Sequence, residues 1–224
     1  GAYHRVVNAL RTIYELRARS MARGGSPRQG WRRLMAKKPM QEWARIGSIL
    51  NAVGRPWATM GAIATRPYRP ERTTLDFDVL IRPEELTAFE EGMLRAGFRR
   101  DRDLVFPHQP RWGGSSWNRS ADEMDVDLIA IDLPWVEDAI HEAGSALDAE
   151  GLPILPLRYL VLTKIEWMRG KDVTDLAEVL GVAVRRGDED SLERTRRLLR
   201  RYLPHLEEDY DQLLQLGEWE IGPE

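Results

Sequence analysis

The sequence predicts an α+β fold in which a small mixed β-sheet with flanking helices is followed by a helical C-terminal subdomain. Short strand-like runs are confined to residues 57–131, whereas helical periodicity dominates from residue 157 onward. Strands and helices that are segregated along a chain are typical of α+β proteins. We therefore expect a basic helix and linker arm over residues 1–39, a sheet-containing core over 40–150 and a helical subdomain over 151–224.

Individual elements follow from periodicity and from the residues that start and stop them. Strands are predicted from residue 57 and over 72–81, 98–108, 115–117 and 125–131, and a short extended piece at 153–155. A turn is predicted at Gly113–Gly114. Pro83 and Gly97 are typical helix boundaries and enclose one predicted helix. The other helices are predicted over residues 3–19, 40–53, 134–143, 157–168, 171–186, 191–203 and 205–216.

Composition excludes several classes of protein. The chain has no cysteine, so it can form neither disulfides nor thiolate metal sites. No apolar stretch reaches the ~20 residues that a membrane span requires, and a soluble, cytoplasmic protein without a membrane partner is expected. The four histidines lack zinc-ligand spacing. They are His4, His108, His141 and His205.

Two carboxylates in one predicted strand give the first functional signal. Asp76 and Asp78 are two residues apart, so their side chains share one face of the strand, while Phe77 and Val79 face the core. Adjacent like charges repel, and a divalent cation can hold them together. Mg²⁺ bound by carboxylates and substrate phosphates serves phosphoryl and nucleotidyl transfer. Two acids on a surface strand are the alternative interpretation.

Two further segments resemble parts of such a site. Gly61–Ala62 forms a small-residue turn after a short strand, where backbone N–H groups could approach phosphate oxygens and a following short helix could face them. Asp125 and Asp127 share one face of the strand predicted over residues 125–131. Both acids could instead be solvent-facing residues at the start of an exposed strand.

The order of these segments resembles the nucleotidyltransferase superfamily, in particular its AbiE-type toxin branch. Arg72, Thr74, Asp76 and Asp78 match the pattern R-x-T-x-D-x-D residue for residue. The preceding pattern GG-x-A is matched except that Ala62 replaces the second small residue, often Gly or Ser, so no hydroxyl is present there. The likeness covers roughly residues 40–185.

A second block, from Leu155 onward, is similar to the helical motif of the same family. Lys164, Arg169, Lys171, Asp172 and Asp175 fall on that motif. The resemblance implies that Lys164 faces the triphosphate and that Asp172 is an active-site acid. Without it, Lys164 would extend to water at the border of an apolar helix face, and Asp172 would cap a helix. A structural role is expected for Asp175.

The resemblance implies a nucleotidyltransferase core that uses Mg²⁺ or Mn²⁺ and an NTP. Asp76, Asp78 and Asp127 would bind the metal, with Asp125 as the reserve for Asp127. The nucleotide would be held by a further set of residues, namely Gly61, Ala62, Arg72, Thr74 and Lys164. The implied reaction is transfer of NMP to an RNA 3′ end, such as that of tRNA, by a toxin that could have a cognate antitoxin protein. The alternatives are a small-molecule or protein acceptor, and a catalytically silent binding module.

Basic and aromatic segments have several possible roles. Eight Arg or Lys residues and no acid lie between Glu15 and Glu42, so this arm could bind RNA, fold onto the acidic body or remain a solvated linker. The arginines of residues 194–201 form a basic helix face that could be solvated or could cradle RNA. Trp112 and Trp117 could stack a base, although anchoring a hairpin to the core is the favoured role.

Overall fold

The computed structural model describes residues 39–68, 74, 76–120, 123–167 and 170–221. It divides the chain into two compact units. In the described part, residues 39–64, 74, 76–120 and 123–156 form the sheet unit, whereas residues 65–68, 157–167 and 170–221 form the helical unit. Residues 1–38, which include the predicted helix over 3–19 and the rest of the basic arm except Pro39, lie outside the described residues.

The sheet unit is built on five strands in the order β1-β2-β5-β4-β3. β2 and β5 are parallel, and every other neighbouring pair is antiparallel. The strands are β1 (Ala58–Thr59), β2 (Asp76–Ile81), β3 (Arg99–Asp103), β4 (Trp112–Asn118) and β5 (Asp125–Ile131). The helices of this unit are α1 (Pro39–Asn51), α2 (Leu86–Arg95) and α3 (Val136–Ser145). The predicted α+β architecture with a mixed sheet is confirmed.

Alternation along β2 and β5 produces the core of the sheet unit. Phe77 and Val79 of β2 and Val126 and Leu128 of β5 are fully buried on one side of the sheet. They belong to one apolar cluster with residues of α1 and α2, including Trp43. The other side carries acids at the start of both strands, so α1 and α2 pack on one face and leave the acids on the other.

The predicted turn at Gly113–Gly114 is wrong, because both glycines lie inside β4. Gly114 has φ +143°, and a Cβ there would lie 1.8 Å from the carbonyl oxygen of Leu128 on β5. Glycine is therefore needed for the backbones of β4 and β5 to pair at this point. The chain turns earlier, at Phe106–Gln109, and β3 is shorter than predicted.

The described residues of the helical unit form four α-helices, which agree closely with the helices predicted for this part of the chain. They are α4 (Leu157–Ile165), α5 (Gly170–Arg185), α6 (Glu189–Tyr202) and α7 (Glu207–Ile221).

Short 3₁₀ turns occur at Ile63–Thr65, Pro83–Glu85 and Pro204–Leu206. The predicted extended piece at residues 153–155 bridges β1 at Thr59. In the described part of the chain, no helix is long and apolar enough to cross a membrane.

Helices α5 and α7 pack closely at Gly217, so we expect Gly217→Ala to destabilise the protein. The new Cβ would lie 2.4 Å from the carbonyl oxygen of Ala177 and 2.7 Å from the amide nitrogen of Gly181. Overpacking of this kind costs about 1–3 kcal/mol of unfolding free energy. Gly144→Ala is the matched control, because Gly144 is also helical but has open space around it.

Urea unfolding followed by circular dichroism measures both variants. Gly144→Ala should raise the unfolding free energy by about 0.5–1 kcal/mol, because alanine has the higher helix propensity. Equal effects of the two substitutions would contradict close packing at Gly217.

Candidate active site

Four carboxylates meet on one face of the sheet because β2 and β5 pair in parallel. Asp76 is opposite Asp125, and Asp78 is opposite Asp127. Paired residues on neighbouring strands share a face, and the strands lie about 4.8 Å apart. We call this side of the sheet the acid face. The structure therefore places three predicted metal ligands, Asp76, Asp78 and Asp127, in adjacent positions.

Exposure differs among these acids. Asp76 is exposed, whereas Asp78, Asp125 and Asp127 are partly buried. Oδ1 of Asp127 is fully buried and has no hydrogen-bond partner among the described residues. A buried carboxylate oxygen without a partner is costly, and this oxygen is available as a ligand for a bound group.

Gly61 allows the turn after β1 to approach Asp78. Its φ is +67°, and a Cβ at this position would lie 1.8 Å from Oδ2 of Asp78. The amide of Met60 donates a hydrogen bond to the carbonyl oxygen of Asp78 at 3.0 Å, which fixes the turn against β2. The short helix predicted after Gly61–Ala62 is a single 3₁₀ turn, Ile63–Thr65. Phosphate binding here would therefore depend on backbone N–H groups of the turn rather than on a helix N-terminus.

Thr74 contacts the start of β2. Its hydroxyl donates to the carbonyl oxygen of Asp76 at 3.1 Å, and it lies 3.4 Å from the amide nitrogen of the same residue. A threonine hydroxyl that bonds the backbone two residues onward is typical of a local turn. Thr74 thus orients the strand that carries the first two acids. Its predicted partner in nucleotide binding, Arg72, lies outside the described residues.

Helix α1 holds the start of β5, a contact that sequence reasoning missed. The carboxylate of Glu42 accepts a hydrogen bond from the amide of Met124 at 2.8 Å. The indole Nε1 of Trp43 lies 3.1 Å from the sulfur of the same methionine. Arg119 forms a bidentate ion pair with Glu123, the residue before Met124. Glu42 and Met124 are 82 positions apart, so no local signal could have revealed the contact.

The donor chemistry of the acid face fits a hard divalent cation. Carboxylate oxygens are the ligands that Mg²⁺ prefers, and the buried Oδ1 of Asp127 supplies one that is not engaged in a hydrogen bond within the described chain. No three His, Asp or Glu side chains in the described residues already converge as a ready metal-binding group. The backbone register shows which acids are neighbours, and binding of one shared ion would require their side chains to converge.

In the helical unit, Lys164 is buried between two acids. Its Nζ donates to Oδ2 of Asp175 at 2.9 Å and lies 3.5 Å from Oδ1 of Asp172. Asp172 and Asp175 are each 1 % exposed and Lys164 is 8 % exposed, so the lysine does not extend to water as the alternative interpretation required. Most residues of helix α4 are buried, and Lys164 is one of them.

The remaining predicted groups, two tryptophans and the arginines of one helix face, make contacts within the protein. Trp112 and Trp117 are buried in β4, in keeping with the favoured core role rather than with base stacking. Four arginines of the basic face of α6 form ion pairs with acids of α6 and α7, and three of them, Arg194, Arg197 and Arg200, are more than half exposed. These pairs are Arg194–Asp190, Arg196–Asp211, Arg197–Glu193 and Arg200–Glu207.

Comparison with known proteins shows the fold. No family model and no curated protein matches the chain. Among solved structures, the solution structure of the antibiotic-resistance factor ANT(2'')-Ia, an aminoglycoside nucleotidyltransferase, has a TM-score of 0.50 at 15 % sequence identity. That likeness covers 78 % of this chain and 97 % of the other.

A crystal structure of ANT(2")-Ia in complex with adenylyl-2"-tobramycin gives a TM-score of 0.43 at 14 % identity, over 83 % of this chain and 91 % of that one. A score at that level adds no argument. The first match shows that the chain has a nucleotidyltransferase-like α+β fold, which agrees with the superfamily resemblance of its motifs. These structures give no support to the finer assignment to the AbiE-type toxin branch.

We expect Gly61→Ala to displace the Asp78 carboxylate and to weaken binding of Mn²⁺, the spectroscopic substitute for Mg²⁺. Gly54→Ala is the matched control, because Gly54 also has a positive φ, +72°, but has no atom within 4 Å of the added Cβ. Backbone strain is thus common to both variants, and only Gly61→Ala adds the clash. Electron paramagnetic resonance titration of Mn²⁺ measures the difference. Equal Mn²⁺ affinities of the two variants would contradict the role of Gly61.

We expect Lys164→Met to lower the free energy of unfolding by about 3–5 kcal/mol, because it removes the cation from two buried acids. Lys171→Met is the control, since Lys171 is exposed on the neighbouring helix α5. An exposed substitution of this kind changes stability by about 0.5 kcal/mol or less. Chemical denaturation provides the measurement, and similar losses in the two variants would show that Lys164 has no structural ion-pair role.

Proposed function

We propose that this protein is a Mg²⁺-dependent nucleotidyltransferase that moves a nucleoside monophosphate from an NTP to an acceptor hydroxyl. The supporting observation is the parallel register that sets Asp78 beside Asp127, with Asp76 two residues before Asp78 on the same face. The buried Oδ1 of Asp127, without a hydrogen-bond partner in the described chain, favours Asp127 over Asp125 as the third ligand. Mn²⁺ would fit the same oxygen donors.

In this proposal each group has a distinct task. Asp76, Asp78 and Asp127 bind the divalent cation, which when bound supplies charge neutralisation for the phosphates. The acceptor oxygen bonds to the α-phosphorus, the bond from that phosphorus to the bridging oxygen breaks, and pyrophosphate leaves. One carboxylate of the acid face takes the proton of the attacking hydroxyl. The turn that contains Gly61 is fixed against Asp78 by the hydrogen bond from the amide of Met60 to the carbonyl oxygen of Asp78.

The other predicted site residues have supporting roles. Backbone N–H groups at Gly61 and Ala62 would hold a phosphate, with no hydroxyl at Ala62 to assist them. Arg72 would neutralise phosphate charge, and Thr74 would fix the start of β2 through its bonds to Asp76. Lys164 would act on the leaving pyrophosphate and Asp172 would be an active-site acid, as the family resemblance implies. Their mutual ion pair would hold both side chains in place.

For the acceptor we propose an RNA 3′ end, with tRNA as the first candidate. This rests on the motifs shared with the AbiE-type toxin branch, which also imply a cytoplasmic toxin with a cognate antitoxin. A small-molecule acceptor is the second candidate, because the likeness to the antibiotic-resistance factor extends over 97 % of that chain. A silent binding module is the third, because Ala62 departs from the family pattern.

The test is to incubate the protein with Mg²⁺, each α-labelled NTP and either total tRNA or a mixture of aminoglycosides. Labelled RNA would support the first acceptor, and labelled aminoglycoside the second. The absence of any labelled product, together with no binding of NTP, would contradict nucleotidyl transfer.

We expect Asp76→Asn and Asp78→Asn each to lower the transfer rate by at least about 100-fold, the scale on which preorganised charge groups act. Thermal stability should stay the same or rise, because repulsion between neighbouring carboxylates is relieved. Asp138→Asn, on the exposed side of α3, removes the same charge and should retain activity. Transfer of label from NTP and a thermal melt measure the two effects. A double Asp76→Asn/Asp78→Asn variant that still transfers label would contradict the proposal.

A further inference from the structure

The acid face continues across the sheet to two arginines on β3. Ser116 of β4 is opposite Asp127, and Arg102 of β3 is opposite Ser116. Asp78, Asp127, Ser116 and Arg102 therefore form one row of paired residues across four neighbouring strands. Asn118, two residues after Ser116 and so on the same side of β4, is opposite Arg99. Both arginines thus belong to the acid face.

Contacts on the opposite side of the sheet support this assignment. Arg100 is opposite Trp117, whose side chain is in the core. The guanidinium of Arg100 lies 3.2 Å from the carboxylate of Glu90 on α2, and the hydroxyl of Ser115 donates to the same carboxylate at 2.7 Å. Arg100 and Ser115 therefore face the helices. A register irregularity between Arg100 and Arg102 keeps Arg99 and Arg102 together on the other face.

We propose that Arg99 and Arg102 bind backbone phosphates of a polynucleotide acceptor. This inference rests on the proposed nucleotidyl transfer and specifies its acceptor. β3 is two strand spacings from β5, or about 10 Å from the row of acids. A stacked strand carries a phosphate every ~3.4 Å along its axis, so a phosphate about three nucleotides from the reacting end would reach β3.

The charges on this face discriminate between classes of acceptor. Acids bind a cation at one end of the row, and arginines at the other end bind anions. A guanidinium can bind a phosphate through two parallel hydrogen bonds. An aminoglycoside carries ammonium groups, which the arginines would repel. A phosphate-bearing strand therefore fits both ends of the row better than a polycation does.

The arginines are accessible for this purpose. Arg99 is exposed, and the side chain of Arg102 is 62 % exposed. Arg102 pairs with its neighbour Asp101 at 2.9 Å, and that carboxylate is itself 44 % exposed. Exposed ion pairs of this kind add little stability, so Arg102 can exchange Asp101 for a phosphate at small cost.

Binding can be measured without turnover by fluorescence anisotropy. The probe is a 5′-fluorescein RNA stem–loop with a single-stranded CCA 3′ end, titrated at several salt concentrations. The double variant Arg99→Gln/Arg102→Gln should raise the Kd on the order of tenfold and lower the log–log salt slope by about 1.4–1.8, for two lost phosphate contacts. The double variant Arg99→Lys/Arg102→Lys should keep most of the slope, because it keeps both charges.

The matched control is Arg55→Gln/Arg95→Gln, which removes two exposed arginines outside the acid face. It should bind the probe as the wild-type protein does. If the Gln variants of β3 behave like this control, or if the wild-type protein does not bind the probe at low salt, the inference is overturned.

The outcome is separable from that of the proposed function. Label transfer to an aminoglycoside without RNA binding would overturn the polynucleotide acceptor and leave nucleotidyl transfer intact. Loss of NTP binding and of transfer to every acceptor would instead contradict nucleotidyl transfer itself. A circular dichroism melt of each variant shows whether the substitutions preserve the fold, as expected for exposed side chains.

Discussion

The parallel pairing of β2 with β5 is the constraint on which the candidate site depends. This register sets Asp78 beside Asp127, and the alternation of strand side chains then fixes which residues join them. The same pairing places Phe77 beside Val126 in the core. A slip of one residue would move the acids into the apolar core, so burial of the core enforces the geometry of the acid face.

This geometry carries an electrostatic cost. Two carboxylates separated by one strand spacing, about 5 Å, would repel by roughly 1–3 kcal/mol at an effective dielectric constant between that of water and 20. Glu42 holds the start of β5, and Gly61 lets the β1 turn approach Asp78, so contacts on both sides fix the strand segments that carry the acids. An arrangement that resists relaxation and leaves an oxygen of Asp127 unsatisfied favours cation binding over stability.

The sequence was sufficient where the determining forces are local. Alternation in β2 predicted that Asp76 and Asp78 share a face. Proline and glycine signals bounded a predicted helix, and the observed helix α2 lies within those bounds. It was insufficient where long-range packing decides. Gly113–Gly114 has turn composition, but the close approach of β5 keeps both residues in a strand. The burial of Lys164 likewise depends on acids of α5, which no pattern within α4 reveals.

The two sides of β3 show why the proposed phosphate-binding arginines were missed by sequence reasoning. Arg99, Arg100 and Arg102 look alike as a cluster of surface arginines in the sequence. Pairing with β4 separates them, because Arg100 contacts Glu90 beneath the sheet while the other two join the acid face. Their distinct roles arise from a register irregularity and from strand order, and both of these are set by tertiary structure. Arginines on the acid face therefore acquire functional meaning only once β5 is known to lie two strands away.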